Sequence, residues 1–202
     1  MKSTLNDYRL IQKWSSSMGG VFSIGDLQNL FNENNPVLLN RRIRSLIQEQ
    51  ILQRFKREFY ITEQCNMEIL SQRIYEDSYI SLGSACARHF LIGSVPSKTV
   101  YAVKSGKNRI FQSAIGTILF CGIAKHLLFG FEYENGIRYA DAEKAVLDVL
   151  YFHTKGFRFS FNIFTDIAFS QLSREKITAY LKKYKNPKYV SYVKGVLHDQ
   201  SS

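Results

Sequence analysis

The spacing of apolar residues predicts a succession of short elements in the first third of the chain. Leu5, Tyr8, Ile11 and Trp14 recur at intervals of three, the stripe of an amphipathic helix, and Gly19-Gly20 ends it with residues that tolerate left-handed dihedrals. Val21-Phe22 reads as a short extended entry. Ser23 is placed to cap a second helix whose Leu27, Leu30 and Phe31 share a face, and the polar run Asn32 to Asn35 breaks it. Pro36 suits the first position of a third helix, where its missing N–H costs nothing, and Leu39, Ile43, Leu46 and Ile47 form the third stripe. Residues 51–54 and 58–62 are β-rich runs around the basic Phe55-Lys56-Arg57, the pattern of a hairpin. Three helices followed by a hairpin is the order of a winged helix-turn-helix, expected over residues 1–62.

A connecting helix is expected over 63–77, on Met67, Leu70, Ile74 and Tyr75, followed by a short strand at Tyr79-Ile80 and a helix over 82–91 capped by Ser81 and closed by Gly93 and Pro96. The period then changes from helical to extended. Residues 99–103, 109–112, 116–121, 127–133 and 137–140 read as strands, separated by turn clusters at 104–108 and Glu134-Asn135-Gly136. Asp141 is placed to cap a further helix with Ala145, Val146, Val149 and Leu150 on its stripe and Glu143 in the first turn, where the dipole favours an acid. Phe157, Phe159 and Phe161 alternate as a strand or an aromatic edge would. Ser173 opens a basic helix carrying Ile177, Tyr180, Leu181 and Tyr184, and Asn186-Pro187 introduces the last one. The expected class is α+β: the N-terminal winged helix-turn-helix, a linker helix, and an α/β domain with a helical tail over 78–202.

Charge decides what the first domain touches. The net charge of +10 favours a polyanionic partner through counterion release. If the third helix buries its apolar stripe, Asn40, Arg41, Arg44 and Gln48 lie outward, and Arg54, Lys56 and Arg57 add a basic patch on the hairpin. Arginine pairs with guanine in bidentate fashion and Asn or Gln does so with adenine, so these residues are the DNA-binding candidates. The lysines at 182, 183, 185 and 188 read as a solvated face.

Catalytic and cofactor motifs are absent. A phosphate loop fails because Tyr101 stands where its first glycine belongs, six residues before Lys107, and no G-x-S-x-G surrounds Ser84 or Ser94. The histidines His89, His126, His153 and His198 are dispersed, and Cys65, Cys86 and Cys121 are odd in number and widely spaced, so neither a metal site nor a disulfide framework is expected. Asp141, Glu143 and Lys144 resemble a nuclease cluster only loosely. Glu143 and Lys144 are adjacent and point to different sides of a helix, so an N-cap and a first-turn acid are the favoured roles. The longest mostly apolar run, 115–124, is half a bilayer span, and the first residues lack a signal-peptide core. No membrane partner and a cytoplasmic location are expected. With 45% hydrophobic and 22% charged residues the chain has the makings of a packed core.

With that order in place, the stretch Asp77-Ser78-Tyr79-Ile80-Ser81-Leu82-Gly83-Ser84-Ala85 resembles the "SYISLESAL" block of the AbiEi family of bacterial antitoxins, and His89-Phe90-Leu91-Ile92 resembles its continuation. Ile137-Arg138-Tyr139-Ala140-Asp141-Ala142-Glu143-Lys144-Ala145-Val146-Leu147-Asp148 is similar to the family's "IATPEKALLDLL", with Asp141-Ala142 standing where Thr-Pro is common. Residues 118–133 resemble the intervening strand pair. The resemblance spans about residue 4 to about residue 190. It implies a two-domain transcriptional repressor of its own operon, with a winged helix on inverted repeats in the promoter and an antitoxic second domain. The implied functional partner is a nucleotidyltransferase-like toxin, countered without a stable complex; it also implies that Asn40, Arg41, Arg44, Lys56 and Arg57 contact DNA, with two copies meeting on the operator. The rival expectations are a nuclease-like second domain using Asp141 or Glu143, and an antitoxin that covers its toxin directly.

Overall fold

Local signals place the first three helices. In the computed structural model, which describes residues 2–93 and 98–200, they are α1 (Lys2–Ser15), α2 (Ile24–Phe31) and α3 (Pro36–Gln48). Ser23 and Asp26 form a reciprocal capping box at the head of α2, satisfying two otherwise orphaned N–H groups. Asn32, in the left-handed region at φ 48°, ends that helix. Asn35 caps α3, and Pro36 occupies its first turn.

Two compact units result, Met1–Leu70 with Phe111–Ile115 and Ser71–Ile110 with Gly116–Ser202. The first joins the three helices to an antiparallel sheet of order β1-β3-β2, with β1 (Val21–Ser23), β2 (Gln53–Lys56) and β3 (Phe59–Ile61). Its core holds Ile11, Phe22, Leu27, Phe31, Leu39, Ile43, Leu46, Leu52 and Tyr60. The inward face of α1 is rotated from the expected stripe. Leu5 and Trp14 are exposed, whereas Asp7 is buried beside Ile11, because an arginine of α3 draws that carboxylate inward. The hairpin turn is also displaced, to Arg57-Glu58, with Glu58 at φ 72°, so that Phe55 and Lys56 lie within β2. Residues 63–77, expected to be one connector, contain α4 (Met67–Ile74), which is shared between the units.

A six-stranded mixed sheet organises the second unit in the order β6-β7-β5-β4-β9-β8, its edge strand β6 being divided between the units. Its strands are β4 (Tyr79–Ile80), β5 (Thr99–Ser105), β6 (Arg109–Ser113), β7 (Gly116–Ile123), β8 (Phe131–Glu134) and β9 (Ile137–Ala140). β5 runs parallel to β7 and β4 parallel to β9, while β4–β5 and β8–β9 are antiparallel. The chain from β5 to β6 passes close over β7 at Gly122. A Cβ there would fall 1.8 Å from the Gly106 carbonyl oxygen, so only glycine admits the crossing. The 127–133 strand starts only at Phe131, since Lys125–Leu127 is a short 3-10 turn.

Helices α5 (Leu82–Arg88), α6 (Ala142–Thr154), α7 (Arg174–Leu181) and α8 (Pro187–Asp199) complete the unit. α5 is shorter than expected, ending through Phe90 at φ 57° ahead of Gly93, and Pro96 lies outside the described residues. α6 is buried on every side from Glu143 to Leu150, which makes it the axis of the core rather than an amphipathic cover. Phe157, Phe159 and Phe161 form no strand. Their rings pack on one another instead, with centroids 4.8 and 5.3 Å apart.

Candidate nucleic-acid interface

On α3 the three apolar residues Leu39, Ile43 and Leu46 are buried, which turns Asn40, Arg41, Arg44 and Gln48 outward; all four are exposed. The arginine between them behaves differently. Arg42 reaches across to α1, where Nε and Nη2 bond the two oxygens of Asp7 at 3.0 and 2.5 Å, while Nη1 bonds the Phe31 carbonyl at 3.1 Å. Its guanidinium also lies over the Phe31 ring, 4.6 Å from the centroid. The bond to Asp7 outweighs partial burial and holds the Arg42 pKa above its ordinary value. Arg42 is therefore the strut that fixes α3 against α1. Arg41 and Arg44 make no ion pair among the described residues and keep all their donors for a ligand.

Asn40 is less free, since its amide donates to the Pro36 carbonyl at 2.8 Å. At 3.6 residues per turn, Val37, Arg41, Arg44 and Gln48 fall within about 60° of one another around the helix axis, with Asn40 at the side. On the hairpin Arg54 and Arg57 are exposed, the latter 3.8 Å from Glu58. Lys56 is half-buried, with its ammonium over the rings of Phe59 and Phe111 at 5.1 and 5.6 Å. The seven expected site residues thus divide into four with open donors (Arg41, Arg44, Gln48, Arg54) and three with local commitments (Asn40, Lys56, Arg57).

The second unit holds a polar cluster that sequence periodicity does not reveal. Lys144 and Asp148, one turn apart on α6, are fully buried and 2.5 Å from each other. Tyr79 Oη and Ser81 Oγ each donate to the other oxygen of Asp148 at 2.8 Å. The rings of Tyr79, Phe129 and Tyr184 surround the Lys144 ammonium, with centroids 4.6–5.7 Å away. Burial pushes the Lys144 pKa down against the opposing pull of Asp148, and burial raises that of Tyr79. Ser81 was expected to cap α5; its hydroxyl serves Asp148 instead. Leu82, the next residue, takes φ 53° while fully buried. Residues 77–85 and 137–148 thus converge here, Tyr79 and Ser81 from one stretch and Lys144 and Asp148 from the other. The i, i+4 spacing of a lysine and an aspartate inside an apolar helix was the available signal.

Beside this cluster, Asp141 accepts from the Lys144 N–H at 2.8 Å, as an N-cap, and from Tyr180 Oη at 2.6 Å. Lys176 bridges Asp141 and Glu143 at 3.2 and 2.9 Å, and the Ser173 N–H donates to Glu143 at 3.0 Å. Burial alone would raise the Glu143 pKa, but the Ser173 and Lys176 donors hold it below its ordinary 4.5. These carboxylates tie α6 to α7. Among the described residues no group of three or more His, Cys, Asp or Glu is arranged to hold a metal. No described helix is long and apolar enough to cross a membrane. The three cysteines are unpaired, and burial raises the Cys65 and Cys121 thiols to about 12.

No family model matches the chain, and no curated protein matches it. Among solved structures it is similar to the Rv2827c protein from Mycobacterium tuberculosis. That likeness has a TM-score of 0.61 at 11% identity over 94% of this chain and 76% of the other, and it bears on the fold alone. The architecture is mixed α+β, in keeping with the class expected from the sequence.

Proposed function

We propose that the protein is a DNA-binding transcriptional repressor of the AbiEi type, with Met1–Leu70 acting as a winged helix-turn-helix and α3 as the helix that enters the major groove. The observation that carries this reading is the sorting of arginines on α3. Arg42 is spent on Asp7, so the helix is held by one guanidinium while Arg41 and Arg44, one turn apart, present theirs unpaired beside Gln48. A helix of that kind offers bidentate donors to guanine N7 and O6 at a spacing suited to neighbouring base pairs. Arg54 and Arg57 on the hairpin supply phosphate contacts, which position the domain without reading sequence. One such domain spans a half-site, so two copies occupy an inverted repeat.

The antitoxin role belongs to the second unit and rests on the resemblance of residues 77–92 and 137–148 to AbiEi proteins. The blocks supply Tyr79, Ser81, Lys144 and Asp148 to a closed interior, which fits a role in fixing the fold that opposes the toxin rather than in chemistry. Neutralisation proceeds without a stable complex with the nucleotidyltransferase-like toxin, and the protein is not an enzyme.

Fluorescence anisotropy with the duplex upstream of the gene, against a scrambled duplex and across a salt series, tests the repressor half. Selective binding with a steep salt dependence is expected. Equal, weak binding to both duplexes would overturn it. Co-expression with the product of the adjacent reading frame tests the other half: rescue of growth without co-purification is expected, and toxicity that persists would refute it.

A further inference from the structure

The head of α3 is apolar where a helix on DNA would usually offer hydrogen bonds. Val37 is 74% exposed and Leu38 46%, although both open a helix that buries Leu39, Ile43 and Leu46. Val37 lies in the same narrow stripe as Arg41, Arg44 and Gln48, one turn before Arg41 and about 6 Å from it along the axis. The backbone at this end has nothing left to give. Pro36 has no N–H, the N–H groups of Val37 and Leu38 donate to Asn35 Oδ1 at 2.9 and 3.3 Å, and that of Leu39 donates to the Asn35 carbonyl at 2.9 Å. A phosphate would find no donor in this turn.

We infer that Val37 is a specificity-determining residue that reads the 5-methyl group of a thymine, next to the base pairs met by Arg41 and Arg44. The inference rests on the reading of α3 as a major-groove helix. Only one feature of the major-groove edge is apolar, the thymine methyl, and an exposed valine in line with two arginines has no other matching surface on a duplex. Burial of the two methyl surfaces is the gain, while the capped backbone adds no competing polar demand. The expected half-site therefore places a thymine beside guanine, in the direction that the N-terminus of α3 points along the groove.

The test uses the full chain. A preferred site is first selected from random duplexes, and each thymine in it is then replaced singly by uracil, which removes the methyl and nothing else. One thymine per half-site should show a loss of about fourfold, the worth of one buried methyl group. Val37→Ala, which loses both γ-methyls and falls short of the base, should bind the thymine and uracil forms alike, near the uracil level, whereas Val37→Thr, which keeps one γ-methyl, should still discriminate. Arg41→Ala should lose preference at a guanine and retain the thymine effect. Wild-type protein indifferent to every uracil, or a uracil effect that persists in Val37→Ala, would overturn the assignment while leaving DNA binding intact. Failure to select any site would overturn the DNA-binding reading itself, and this inference with it.

Discussion

α3 and α6 are both 13 residues long and both start on a side-chain cap, yet they dispose of their charges in opposite directions. α6 turns Lys144 and Asp148 into the interior and satisfies them with Tyr79, Ser81 and Tyr184. α3 turns Arg41 and Arg44 to solvent and sends only Arg42 inward. A charge costs most where it is buried, and there both ions have hydrogen-bond partners; a charge left open on the surface costs little and stays available to a partner. The location of unmet donors, more than the count of basic residues, separates a binding face from a structural one.

The sharpest way to break the contrast is at Asp148. Replacement by Ala leaves Lys144 buried without its counterion and should destabilise the protein by about 3–5 kcal/mol in urea unfolding. The double variant Lys144→Met/Asp148→Leu should cost distinctly less than Asp148→Ala alone, and a cost at least as large would show that packing, not charge, holds α6. On the other side, Asp7→Ala should lose about 1.5–3 kcal/mol by freeing Arg42, read in the same unfolding assay. Arg41→Ala and Arg44→Ala should leave stability unchanged and cost about 1–3 kcal/mol of specific DNA affinity, whereas Arg57→Ala should weaken all sequences alike and lower the salt slope by about one.

The smallest effect concerns acid. Because Ser173 and Lys176 hold the Glu143 pKa below 4.5, this carboxylate contributes stability above that value. The contribution is lost as pH falls through the folded value, since protonation then favours the unfolded chain. Glu143→Gln should flatten the stability curve on that acid limb and change little near neutrality. An unchanged limb would mean that the Lys176 bridge does not titrate with folding.

The sequence carried the elements of the first unit well because their signals are local. Ser23, Asn32 and Pro36 act within three or four residues and the structure uses each where expected, while Asn35, read only as part of the breaking run, also caps α3. The stripe of α1 was misplaced because Asp7 is buried only by virtue of Arg42, 35 residues away, and no local period records that pairing. The outward face of α3 was legible for a related reason: it is what remains after a strong apolar stripe is assigned. Its division into free and committed arginines was not. In the second unit α6 reads as amphipathic because periodicity assumes a wet side, whereas here the surrounding strands and helices cover it completely.

That complete enclosure also has an order in time. Tyr189 on α8 donates to the Leu147 carbonyl at 2.7 Å, and Tyr189, Val193 and Val196 join the core around α6. During synthesis, residues 142–154 leave the ribosome some 35 residues before the helix that seals them, so α6 must wait with an apolar flank uncovered. The three helices ahead of it face no such delay, since α1, α2 and α3 find their partners close by in the chain. A nascent chain can therefore hold its first three helices packed while the core around α6 is still open, and α8 acts as the latch.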